Sequence, residues 1–186
     1  MADIEENSYK VVDHFTNIKA DAYDMSNDIN NCTTEIVKVR SIGGNGIASF
    51  VRKEAKKIAG YINTFSEKLS NRNDEILNLW GKIEIDTLGL LENKFALNSE
   101  NKPHLINYLK SLSKLKNDLN ITKDSFCGLQ ETIESVKGLE RSLNHSADTL
   151  MLKMGNLVDV VNKMQKSIDK ILTKGNYYVG QIDDYK

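Results

Sequence analysis

The sequence predicts an all-α protein: an elongated antiparallel three-helix bundle, with a four-helix bundle as the alternative, held by coiled-coil heptad packing. Three observations point there. Apolar residues recur in alternating steps of three and four along nearly the whole chain, which keeps one narrow stripe on one side of a helix. A single proline, Pro103, stands among 186 residues, so nothing forbids very long helices. The chain is 27% charged and only 7% aromatic, a composition typical of helical rods.

The first helix is expected over about residues 4–40. Its stripe is Ile4, Val11, Phe15, Ile18, Ala22, Met25, Ile29, Cys32, Ile36 and Val39, with Ser8 as the one clearly polar residue in frame. Gly43-Gly44-Asn45-Gly46 then forms the strongest break in the chain. A second helix follows over about 47–97. Its early face is Ile47, Phe50, Val51, Ile58, Ile62 and Phe65; its later stripe is Leu69, Ile76, Leu79, Ile83, Leu90 and Leu97. Arg72, Asp86 and Asn93 share that frame. Polar residues at seam positions either fix register or reach solvent because the helix rotates. Gly81 and Gly89 each weaken the helix by about 1 kcal/mol relative to alanine. Trp80 is expected in the core or at an interface.

The second break is the polar stretch 98–103. Ser99 or Asn101 can cap the next helix, and Pro103 is tolerated in its first turn. A third helix is expected over about 103–174, its stripe running from Leu105 to Ile171 with only Thr122 and Glu140 out of pattern. Residues 120–124 have low helix propensity, so a kink or split there is the alternative to one continuous helix. Residues 175–186 are expected as an extended or loosely docked tail.

At ~1.5 Å per residue the three helices span roughly 55, 75 and 105 Å. The third then overhangs its partners, and its final apolar stripe should not stay in water. This predicts a partner interface at Leu157, Val161, Met164, Ile168 and Ile171, covered by a fold-back, a second copy or another helical protein.

A second candidate surface follows the glycine-rich turn. Ile47, Phe50 and Val51 stand beside Arg52, Lys53, Lys56 and Lys57, as in an amphipathic peptide at an anionic membrane surface. It predicts a membrane-facing tip over residues 43–51 with the basic residues behind it.

Chemistry offers less. His14, His104 and His145 are far apart, with no His or Cys at metal-ligand spacing. No phosphate-binding Gly-Lys-Ser/Thr loop and no nucleophile elbow occurs. The sequence therefore leads us to expect no catalytic residues, no metal, no cofactor and no small-molecule substrate. Net charge of -1 argues against nucleic acid as a partner. No run reaches the ~18 apolar residues of a membrane span. The acidic start MADIEENSYK is not a secretory signal, which predicts a cytoplasmic protein or one exported without a cleaved signal peptide. Cys32 and Cys127 are expected as reduced thiols at or near a core.

The functional expectation is a non-enzymatic helical scaffold or assembly protein. It self-associates or binds a helical partner through a coiled-coil seam. The alternative is a membrane-active bundle of the pore-forming or toxin-component type, inserting through the glycine-rich tip.

Overall fold

The computed structural model describes residues 2–93 and 98–183. The protein is all-α. Among the described residues four helices follow one another: α1 (Ala2–Ile42), α2 (Ile47–Glu92), α3 (Lys102–Lys137) and α4 (Asn144–Asp183), with a 3-10 turn over Arg141–Leu143 leading into α4.

The expected third helix is therefore two helices, and the break is not at 120–124. α3 stops at Lys137. Leu139 N–H then bonds back to the Val136 carbonyl at 3.0 Å. Glu140 is extended (φ -154, ψ 129), and its side chain accepts from Ser142 N–H ahead of α4. Gly138 sits where the last turn ends. The weak stretch 120–124 stays helical for a reason outside itself. Gln165 on α4 donates to Asn120 Oδ1 at 2.7 Å, and Lys123 donates to Gln165 Oε1 and Asn162 Oδ1, both at 3.0 Å. Thr122 is buried, its hydroxyl donating to the Asp118 carbonyl at 3.0 Å. A polar ladder between helices thus replaces the missing apolar seam residue.

Two other expected boundaries also move. α2 ends at Glu92, and Leu97 lies outside the described residues. The expected loose tail is helical instead: α4 continues to Asp183, with Gly175 buried.

The chain divides into two compact units, and every helix contributes a segment to each. Unit 1 comprises Met1–Phe15, Asp74–Lys123 and Val158–Lys186. In it His14 Nε2 lies 2.9 Å from Glu75 on α2, and Lys116 on α3 lies 2.5 Å from Asp169 on α4. Residue numbers rise on α3 as they fall on α4 along the contacts 116–169, 120–165 and 123–162, so these two segments are antiparallel. The core includes Ile4, Ile76, Leu91, Leu112, Leu119 and Ile168, all at most 5% exposed. Burying each such side chain stabilises by roughly 1.5–3 kcal/mol.

Unit 2 comprises Thr16–Asn73 and Asp124–Leu157. Here Asp21 on α1 faces Lys68 and Arg72 on α2 at 3.8 and 3.7 Å, and Lys137 on α3 meets Asp148 on α4 at 2.6 Å. Its core includes Ile18, Ile29, Ile58, Ile62, Ile133 and Leu150.

In the later part of α2 the buried positions are Ile76, Trp80, Ile83, Thr87 and Leu91, not the strict heptad frame. Asp86 and Asn93 are exposed, while Arg72, Leu79 and Leu90 are half-buried. An α-helix turns in 3.6 residues, so a straight one drifts by about 20° per heptad against a 3.5-residue stripe. The drift carries Trp80, Thr87 and Leu91 inward and Asp86 outward. The in-frame polar residues thus do not set register from within the core.

Candidate partner and membrane surfaces

The predicted partner seam is interior. Leu157, Val161, Met164, Ile168 and Ile171 are each 0–1% exposed. Leu157 belongs to the core of unit 2 and the other four to the core of unit 1. The reversal at residues 138–143 removes the premise of an overhanging stripe. α4 returns as a separate helix whose apolar side faces the protein's own core, so these five residues form no exposed docking strip.

The glycine-rich tip is a different case. Gly43, Gly44 and Gly46 have φ of 73°, 118° and 89°, conformations that strain residues with a Cβ. They let α1 end and α2 begin within four residues. Gly43 N–H bonds to the Val39 carbonyl at 3.2 Å, and Phe50 N–H to the Gly46 carbonyl at 3.1 Å. Ile42, just before the turn, is 82% exposed. Ile47 and Phe50 are half-buried, whereas Val51 is core at 5%. The tip's apolar surface is thus Ile42 with the edges of Ile47 and Phe50, and Val51, expected at the tip, is part of the core instead.

The four cations are all exposed. Lys57 differs in being held at 2.7 Å by Glu54, itself only 5% exposed. That hydrogen bond keeps the Glu54 carboxyl below its ordinary value. Burial, with Glu54 as a hydrogen-bond acceptor, pushes the Cys32 thiol up to about 11. Such a thiol remains protonated and is a poor nucleophile. Cys127, by contrast, is exposed rather than near the core. Across unit 2, Arg40 Nη2 donates to the Leu139 carbonyl at 2.7 Å, tying the α1 end to the turn that precedes α4.

Two clefts accompany these surfaces. In unit 1, a cleft of about 220 Å³ lies between α1 and α3, bordered by Ser8, Tyr9, Val12, Tyr108 and Leu115. Behind it, Thr87 and Tyr108 share a buried hydroxyl–hydroxyl bond of 2.9 Å. Burial raises the Tyr108 phenol above its ordinary value. In unit 2, a cleft of about 140 Å³ lies between Asp21, Asp24 and Asp28 on α1 and Tyr61 and Lys68 on α2. Both are below the 300–1,000 Å³ usual for small-molecule sites. No group of three or more His, Cys, Asp or Glu side chains suited to a metal occurs among the described residues. No helix among them is long and apolar enough to cross a membrane.

Comparison with family models, curated proteins and solved structures finds no match to this chain. The surface itself is therefore the guide to function. Its exposed large apolar side chains include Tyr9, Val12, Leu77 and Ile85 in unit 1. Sequence periodicity passes over these residues, because a stripe search finds what a helix buries and not what it leaves outside.

Proposed function

We propose that the protein is a non-enzymatic helical assembly protein, its heptad stripes consumed by coiled-coil packing inside each unit and its partners met through outer helix faces. The observation that carries this reading is the set of large apolar residues on the outside of unit 1: Tyr9 at 73%, Ile85 at 73% and Leu77 at 44% exposed, all on α1 and α2. Scattered exposed apolar residues are ordinary, but several on neighbouring helix segments favour a macromolecular contact. Light scattering over a concentration series tests it. Self-association, or a defined complex with a helical partner, is expected. A mass fixed at 21.0 kDa at every concentration, with substitution of Tyr9 and Ile85 by serine leaving every interaction unchanged, would count against it.

A second reading rests on the tip. Ile42 at 82% exposure just before the turn, with Arg52, Lys53 and Lys56 exposed on the first turns of α2 after it, supports docking on an anionic membrane surface, the apolar residue entering the headgroup region and the cations meeting phosphates. Cosedimentation with vesicles containing phosphatidylserine tests it. Binding that is lost in Ile42→Ser and absent from neutral vesicles is expected; equal binding by Ile42→Ser would sink it.

A further inference from the structure

The near-neutral net charge of the chain conceals a separation of charge within unit 1. Residues 2–15 of α1 and 74–92 of α2 carry nine carboxylates against two lysines, Lys10 and Lys82. Residues 102–123 of α3 and 158–183 of α4 carry nine lysines against Asp118, Asp159, Asp169 and Asp183. The first pair of segments is thus net -7 and the second net +5, both within unit 1.

Packing makes these two opposite sides. α1 meets α2 through His14–Glu75, and α3 meets α4 through Lys116–Asp169. α1 borders α3 along the 220 Å³ cleft, and α2 touches α4 through Lys174–Glu92 at 3.5 Å. The four segments therefore form a square in which α1 and α2 make one side and α3 and α4 the other. Lys174–Glu92 is a charge pair that crosses between them. Asp3, Asp13, Asp74 and Asp86 are exposed on the α1 and α2 segments, and Lys110, Lys114, Lys163, Lys166 and Lys170 on the α3 and α4 segments.

Each side also carries apolar anchors among its charges. Tyr9 and Ile85 are exposed on the acidic segments, Tyr9 at the rim of the cleft that α1 shares with α3. Ile121 (55% exposed) and Tyr177 (63%) stand on the lysine side, in line with the lysine rows of α3 and α4. Charge alone would suit any counter-ion. Charge of opposite sign on two sides of one unit, each with exposed apolar residues, fits another copy of the same surface pair.

We infer that unit 1 binds a second copy of this chain, the acidic α1/α2 side of one against the lysine α3/α4 side of the next. This rests on the assembly reading above and names its partner. The contact is heterologous, because two different patches meet, so it extends to further copies unless a ring closes. Complementary potentials of this kind set encounter rate and register, while Tyr9, Ile85, Ile121 and Tyr177 supply the desolvated contacts.

Sedimentation velocity with the full chain tests it. Lowering salt from about 0.5 M to about 0.02 M lengthens electrostatic reach several-fold, and the average mass is expected to rise from 21.0 kDa to at least twice that. One variant reverses the lysine side (Lys110, Lys114, Lys163, Lys166 and Lys170 each to Glu). Another reverses the acidic side (Asp3, Glu6, Asp13, Asp74 and Asp86 each to Lys). Each alone is expected to stay monomeric at low salt, and an equimolar mixture to regain the higher mass, because one now has two acidic sides and the other two basic sides. Circular dichroism confirms that each variant is folded; if a fivefold reversal does not fold, the corresponding Lys163/Lys170 or Asp13/Asp86 double reversal takes its place, with the same pattern expected at reduced amplitude.

Wild-type protein that is monomeric at both salts overturns this inference. So does a mixture of folded variants that fails to associate. Association that persists in about 0.5 M salt, or in each variant alone, overturns the acid-to-lysine contact but leaves the assembly reading standing. Binding of a short DNA duplex or a phosphatidylserine vesicle by the lysine side, with no rise in protein mass, overturns it in favour of a polyanion partner.

Discussion

Replacing Gly175 with alanine is expected to destabilise unit 1, although the same change elsewhere on α4 stabilises the protein. A Cβ at Gly175 would lie 2.6 Å from Leu109 Cδ2, 2.8 Å from Cδ1 and 3.2 Å from Cγ. Both methyl carbons and the branch point are too close, so rotation of Leu109 about its last bond does not clear them, and Leu109 is itself only 5% exposed. Alanine gains about 1 kcal/mol of helix propensity over glycine. Overpacking a filled core costs about 1–3 kcal/mol. The net change is then a loss of up to about 2 kcal/mol. Gly155 is the control, being on the same helix with nothing within 4 Å of its would-be Cβ; Gly155→Ala should gain up to about 1 kcal/mol. Urea unfolding followed at 222 nm measures both. In the double variant Gly175→Ala with Leu109→Ala, the new methyl group occupies space that Leu109 vacates. The combined loss should therefore be smaller than the sum of the two single losses. If Gly175→Ala stabilises as much as Gly155→Ala, the close approach of α4 to α3 is wrong.

Three further outcomes are expected. Thr87→Val removes the 2.9 Å partner of the Tyr108 hydroxyl, leaving it Ser8, and should cost about 0.5–1.5 kcal/mol in thermal or urea unfolding; in the double variant with Tyr108→Phe the combined loss should be smaller than the sum, and strict additivity of the two losses would refute the coupling. Ile168→Asp places a carboxylate where exposure is 0% and should abolish cooperative unfolding of unit 1, whereas a folded variant with only its assembly altered would show that Ile168 is an outer residue after all. At about pH 8 a thiol reagent should label exposed Cys127 promptly and Cys32 only as the protein unfolds. Cys32's neutral thiol is favoured in the folded state, so its contribution is full below its ordinary value and declines as pH rises from there to about 11; stability rising over that interval in wild type but not in Cys32→Ala would contradict the burial.

The tip illustrates how much of a site is legible locally. Three glycines in four residues announce a turn, and Arg52, Lys53 and Lys56 announce a basic face, because both signals are contained in a few consecutive residues. Ile42 escapes notice because it lies out of the α1 stripe, and Val51 misleads because the sequence does not say how far α2 is rotated at its start. The Thr87–Tyr108 bond joins residues that are apart in sequence and unremarkable individually. Only the α2 drift and the packing of α3 bring them together.

Periodicity is a property of one helix and its immediate neighbours, so the chain alone determined that it is helical and which side of most segments goes inward: Val11, Ile29, Ile62, Ile133 and Met154 are all in the expected stripes and all buried. It did not determine where the long third segment turns back. Val136 and Leu143 are one heptad apart, so the stripe keeps its phase straight through a chain reversal. Once α4 is a separate helix, the stripe at residues 157–171 has its cover inside the protein. Charge follows the same logic. The sequence carries nearly equal numbers of acids and bases, but which helices stand side by side is a non-local matter. Tertiary packing places the two carboxylate-rich segments of unit 1 together and the two lysine-rich segments together, turning a neutral chain into a unit with two oppositely charged sides.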